Sequence, residues 1–250
     1  IDILADSTCV ANEYKVIENS AQTFADNINE FNGMIGERQV GCPLVVHRRC
    51  IEPMFSISNL ISYDNRMFNK TNKKEEYLKP ENPFLIKKSG WINVEGVENG
   101  GKDHFVKNQA ERVCQLLENA LHIYTNLYET DDKIFIITPF RTVAESMRKF
   151  VIGYFSVKGY DKEMLTKWTK NCVGTVHTFQ GKDANEVLFV LGCSDKSAGA
   201  MNWVVKKANI LNVACTRAKY RIAFIGNLND WKNRRYFREF IPKFIDTIDA

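Results

Sequence analysis

Apolar positions recur every three or four residues from Phe105 to Tyr128, through Val106, Ala110, Val113, Leu117, Ala120, Tyr124 and Leu127, while Glu111, Arg112 and Glu118 fall between them. That period predicts a long amphipathic helix with one buried stripe. Asp131-Asp132 close it, and the uninterrupted run Ile134 to Ile137 follows at once, the pattern of a strand buried on both faces. A second such unit comes next, with Phe140 to Phe155 as helix and Cys172 to Val176 as strand. Further apolar runs predict strands at Leu44 to Val46, Trp91 to Val94, Glu186 to Leu191 and Tyr220 to Ile225. Cys50 to Tyr63 reads as a helix with Met54, Phe55, Ile57, Leu60 and Ile61 inward, and Ile210, Val213 and Ala214 mark another. Helices that lead directly into buried strands predict an α/β fold with a mostly parallel sheet and helices on both faces.

The intervening stretches are polar. Residues 1–40 carry little pattern apart from Phe24, Ile28 and Phe31, spaced for a helix that Ser20 would cap. From Arg66 to Lys88 the chain turns to Asn, Lys, Glu and Pro, the composition of a surface excursion. Gly192 to Trp203 reads as a small-residue loop, with Trp203 either packed in the core or free to stack on a base. From Trp231 to Ile248 a helical spacing runs through Phe237, Phe240, Ile241, Phe244 and Ile245, and Pro242 should kink or split it.

Two polar turns lie against the apolar strands. The first, Val173-Gly174-Thr175-Val176-His177-Thr178-Phe179-Gln180-Gly181-Lys182-Asp183, carries hydroxyls, an amide and a glycine that lets a backbone N–H approach a ligand. The second, Asn212-Val213-Ala214-Cys215-Thr216-Arg217-Ala218-Lys219, places Arg217 between a helix and a strand, where a planar cation can be aimed across a cleft.

Composition narrows the classes. The net charge of +4 permits a nucleic-acid partner without requiring one. The seven cysteines form no Cys-x-x-Cys pair and are read as reduced core residues. None of the four histidines stands at helical ligand spacing from another, so no metal site is expected. No stretch approaches the roughly 20 apolar residues that span a bilayer, and an intracellular, cytoplasmic chain without membrane contact is expected. The chain starts at Ile1 without a methionine, which suits a piece of a longer protein.

The two turns resemble late motifs of superfamily 1 helicases, in the branch of the nonsense-mediated-decay helicase and its bacterial relatives. Ile134-Phe135-Ile136-Ile137-Thr138-Pro139-Phe140-Arg141 resembles that branch's strand followed by Thr-Pro-Tyr. His47-Arg48-Arg49-Cys50-Ile51-Glu52-Pro53 resembles the arginine motif that opens the second RecA-like domain. The four matches lie in order between Pro43 and Asn227. The resemblance implies a RecA-like P-loop NTPase fold over residues 41–250, with residues 1–40 as the tail of a first RecA-like domain.

It also implies roles. Arg217 and Arg48 would act as catalytic cations on the γ-phosphate, with Arg49 beside Arg48 departing from the commonest form of the motif. Gln180, Gly181 and Asp183 would contact the nucleotide, although the usual acid is glutamate, one methylene longer. Thr138, Pro139, Thr175 and His177 would contact single-stranded nucleic acid, with DNA favoured over RNA; His177 stands where aspartate is common and Val143 where glutamine is frequent. No Gly-x-x-x-x-Gly-Lys-[Ser/Thr] loop occurs, nor a strand ending in Asp-Glu, so ATP and Mg2+ would be held mainly by the first domain. The chain alone is then expected to be inactive. The alternatives are a nucleic-acid-binding module independent of ATP and a protein-interaction domain that keeps the fold.

Overall fold

A computed structural model describes residues 29–248 apart from 31–32, 36–37, 42–44, 72–83, 99, 101–102, 122–126 and 131–132. The helix expected after Ser20 and most of the lysine-rich excursion lie outside the described residues. Strands β1 (Gly33–Ile35) and β2 (Arg38–Val40) pair antiparallel. Strand β3 (Val46–His47) pairs in parallel with β4 (Phe68–Asn69), with helix α1 (Met54–Ser62) between them in the chain.

The main sheet contains β5 (Gly90–Asn93), β6 (Ile134–Thr138), β7 (Val173–Thr175), β8 (Ala184–Val190) and β9 (Ala218–Gly226). Their order is β5-β9-β8-β6-β7, and every pairing is parallel. Parallel neighbours need crossovers. These are supplied by helices α2 (Lys107–Leu121), α3 (Arg141–Val157), α4 (Lys162–Cys172), α5 (Ala198–Val204) and α6 (Asn209–Arg217). Helices α7 (Leu228–Trp231) and α8 (Phe237–Phe244) follow the last strand.

Two cores form because successive residues of a strand point to opposite faces. Phe135, Ile137, Val187, Phe189, Ile222 and Phe224 face one layer, where Met54, Ile57, Leu211 and Phe240 of α1, α6 and α8 meet them. Ile134, Ile136, Leu188, Val190, Ala223 and Ile225 face the other, against Val113, Leu117, Met147, Val151 and Leu165 of α2, α3 and α4. The strands are therefore buried on both faces, as their unbroken apolar runs predict.

Several expectations shift. The long helix is described to Leu121, and a 3₁₀ turn occupies Leu127–Thr130 before β6. Helix α4 has no counterpart in the predicted pattern, because it buries only Leu165, Trp168, Thr169 and Cys172. Its sequence signal is the cap: the Asp161 side chain accepts the Met164 N–H. In the tail, the break falls between α7 and α8 rather than at Pro242, which sits inside α8. Tyr236, at φ 66°, opens α8 with the Glu239 carboxylate accepting its N–H, and this local cap sets the boundary.

Candidate functional site

The segment from Val176 to Asp183 crosses one face of the sheet. It leaves the C-terminal end of β7, where Thr175 pairs with Thr138, and re-enters at the N-terminal start of β8, where Ala184 pairs with Ala218. Phe179 anchors the crossing: it is fully buried and its ring lies 4.2 Å from that of Phe135. Successive turns carry the backbone, with Thr178 N donating to Thr175 O, Gln180 N to His177 O and Lys182 N to Phe179 O. Two glycines make this path available. A Cβ on Gly174 would lie 2.9 Å from the Thr178 Cβ, and Gly181 has φ +88° with open space around it.

At the start of β8 and β9 the predicted cation Arg217 is only 5% exposed. Its Nε donates to Val213 O, its Nη1 to Phe179 O and Lys182 O, and its Nη2 to Thr216 Oγ1. The guanidinium thus ties α6 to the crossing segment. Burial, and then the charge of Arg49, lower its pKa from the ordinary arginine value, while Asp183 opposes that shift. Asp183 itself pairs with Lys219 at 2.7 Å. Gln180 and Gly181 are exposed beside this edge.

The arginine motif joins the same edge through the backbone, Ile51 N donating to Lys219 O at 3.2 Å. His47 shapes the turn: its Nε2 accepts the Cys50 N–H at 2.9 Å, and its ring lies 5.3 Å from Phe55. Burial and Arg49 lower the His47 pKa, which suits a ring nitrogen that accepts. Arg49 is the member of the pair whose charge reaches Arg217, Cys50 and His47. Arg48 is exposed. The sequence motif maps its cation to Arg48 with Arg49 beside it, and residue type alone does not choose between two adjacent arginines that differ only in direction.

The other predicted set gathers at the opposite edge. Pro139, Thr175 and His177 line an open cavity of about 520 Å³ together with Phe140, Arg141, Ala144, Glu145, Arg148, Thr178 and Trp203. Thr138 lies behind it, 1% exposed, with Oγ1 accepting the Phe140 N–H. Thr175 and Thr178 share a hydroxyl contact at 3.1 Å, and Arg148 braces β7 by donating Nε and Nη2 to Val173 O. Trp203 is 49% exposed on helix α5, which stands where a loop was expected, so the core placement is corrected. The reason is helical phase: Met201 and Val204 take the buried side and leave Trp203 on the outer one.

Glu98, His104 and Cys193 bring three potential ligand atoms within 4.8 Å of one another. The Glu98 carboxylate already accepts the Ser194 N–H at 2.8 Å and faces His104 Nδ1 at 3.3 Å. Burial pushes the Cys193 thiol up to about 12. The trio acts as a hydrogen-bonded brace beside the cavity.

The fold and the two sets of side chains define an α/β domain with a cationic edge and an aromatic, hydroxyl-lined edge. Residues 30–229 match the model of a family described as AAA domain, and the chain belongs to that family. It is 30% identical over 156 residues to an uncharacterized ATP-dependent helicase of Methanocaldococcus jannaschii. That match covers 60% of this chain and 20% of the relative, so the chain corresponds to a fraction of that protein's length. A solved structure, the C-terminal domain of a possible DNA helicase from Lactobacillus plantarum, is similar over 72% of this chain and 87% of that one, at 10% identity and a TM-score of 0.37. Among the described residues no helix is long and apolar enough to cross a membrane.

Proposed function

We propose that this chain is the C-terminal motor domain of an ATP-dependent superfamily 1 helicase or translocase acting on single-stranded nucleic acid. The observation that carries the proposal is the path of Val176–Asp183, one short segment with the cavity at one end and the cations at the other. A parallel strand advances about 3.3 Å per residue, so the segment bridges two edges on the order of 15 Å apart. Phe179 packs the segment on the sheet, and the Arg217 hydrogen bonds tie it to the cationic edge.

The cationic edge fits a polyphosphate. Arg217 feels the charges of Arg49 and Asp183, Lys219 pairs with Asp183, and Gly181 leaves backbone approachable. In this reading ATP and Mg2+ are held mainly by a first RecA-like domain, and the ion would neutralise phosphate charge there. Gln180, Gly181 and Asp183 border the nucleotide, and Arg217 and Arg49 stabilise negative charge that develops on the terminal phosphoryl oxygens. At the cavity, Thr175, His177 and Arg141 offer donors for phosphate and sugar oxygens, which suits stepping along any sequence. DNA is the first substrate to test.

One observation favours a second reading. Four hydrogen bonds hold Arg217 within its own domain, as they would in a nucleic-acid module that needs no ATP. ATP hydrolysis by the full-length protein, with and without an oligothymidylate, separates the two. Strand-stimulated hydrolysis is expected, with none above background from the 250-residue chain alone, which lacks a phosphate loop. Strand binding without hydrolysis by the full-length protein would establish the second reading instead.

A further inference from the structure

Four tryptophans occur in the chain, and three are packed away: Trp91 and Trp231 are fully buried and Trp168 is 2% exposed. Trp203 stands half in solvent on the wall of the cavity. A large aromatic left half in water forgoes part of the stabilisation that burial would give it. Its helix is nevertheless anchored by packing and a hydrogen bond. Met201 and Val204 are buried on the same short helix, and Arg234 donates to Asn202 Oδ1 at 2.6 Å beside it.

Behind Trp203 the support continues through polar contacts. Its ring lies 5.8 Å from that of Phe140, which packs at 4.8 Å on the His104 ring. Glu98 accepts from Ser194 N, His104 O accepts from Cys193 N, and Gln109 Oε1 accepts from Gly192 N. The loop that feeds Trp203 is therefore pinned at three successive backbone amides. A flat aromatic face, fixed in place and open to solvent, is prepared for a flat partner.

We propose that Trp203, backed by Phe140, is a base-stacking platform that holds one base of a bound single strand. The proposal rests on the nucleic-acid reading above and adds the part of the strand that this domain grips. The cavity, at about 520 Å³, lies within the roughly 300–1,000 Å³ that accommodates one small organic group. Charge agrees with an anionic partner: Arg141 and Arg148 line the cavity with one carboxylate, Glu145. Thr175, Thr178 and His177 line the same cavity, and their donors suit the sugar and phosphate of the nucleotide whose base lies on Trp203. Stacking uses the π-face that every base possesses, so the platform gives grip without sequence preference.

The test compares a labelled oligothymidylate with an abasic oligonucleotide of equal length, binding to the full-length protein and to two variants. Trp203→Leu should weaken binding of the oligothymidylate roughly ten- to a hundredfold and leave the abasic strand within about twofold, while Trp203→Tyr should restore most of the loss. Equal losses on both strands, or no loss on either, would overturn the platform while leaving the nucleic-acid reading intact. If the unaltered protein binds neither strand, both readings fail. Melting temperatures of the variants check the fold and should stay close to that of the unaltered protein.

Discussion

At the starts of β8 and β9 Arg217 directs its donors to the carbonyls of Val213, Phe179 and Lys182 and to Thr216, whereas at the ends of β6 and β7 Trp203, His177 and Thr178 stand open to solvent. One edge is closed on itself and the other is already shaped as a cavity. A buried cation must be hydrogen-bonded, because the desolvation of an unpaired guanidinium would cost more than the fold can bear. Neutral aromatics and hydroxyls face no such demand and can wait exposed. The difference teaches that so buried a cation needs a full set of partners, and that two of them, Phe179 O and Lys182 O, belong to the very segment which runs to the cavity.

The largest expected effect tests whether the closed edge is more than a brace. In the full-length protein, Arg217→Ala should lower turnover per folded molecule by about a thousandfold or more, with nucleotide affinity changed only a few-fold. It should also lower the melting temperature, since Lys182 O loses the Arg217 donor at about 1–3 kcal/mol, while Phe179 O keeps the Lys182 N–H. Arg217→Lys should recover little, because an ammonium lacks the planar fork. A reduced melting temperature with unchanged turnover would make Arg217 a strut only.

The next measurement sharpens the same edge. Arg49→Ala should cost roughly ten- to a hundredfold more turnover than Arg48→Ala, since Arg49 is the arginine whose charge reaches Arg217. Equal steady-state rates for the two variants would remove Arg49 from the cationic edge.

Stability against pH probes the closed edge from beneath. Glu186, near the start of β8, is 1% exposed and accepts the N–H groups of Leu85 and Ile86. Burial raises its pKa from 4.5 to about 7, so the fold favours the protonated acid. Its contribution is then complete below the unfolded value near 4.5 and is lost as pH rises through about 7. The melting temperature of the protein should fall across that window relative to Glu186→Gln, which cannot titrate. A difference that stays constant with pH would show that Glu186 is ionised throughout.

The smallest effect belongs to the open edge. Arg141 has a side chain 88% exposed beside the cavity, paired with Glu145 one helical turn away. Arg141→Ala should reduce the slope of log affinity against log salt by roughly one and weaken strand binding a few-fold, without regard to sequence. An unchanged slope would place the phosphates elsewhere.

The strands were legible because each carries an unbroken apolar stretch, Ile134 to Ile137 in one and Val187 to Val190 in the other. Ile134–Thr138 and Ala184–Val190 lie within a residue or two of the runs that predict them. Helix α3 and helix α6 were legible from their 3.6-residue period. Helix α4 was not, since three lysines dilute its apolar stripe and only the Asp161 cap marks its start. Of the candidate site, the motifs separate Thr175 and His177 from Gly181 and Arg217, but the placement of the two sets at opposite ends of the strands could not be read. That depends on the direction in which one segment crosses the sheet.

What the sequence by itself determined is the set of positions that leave water, because alternation along a strand and periodicity along a helix are local geometry. It also determined which residues carry donors and charge. Only the tertiary structure decided that Arg49 rather than Arg48 approaches Arg217, across more than 160 residues, and that Trp203 is left uncovered while Trp168 and Trp231 are not. Exposure of an aromatic and proximity of two cations are properties of what other elements cover or bring near. In a sheet ordered β5-β9-β8-β6-β7, those neighbours come from distant parts of the chain.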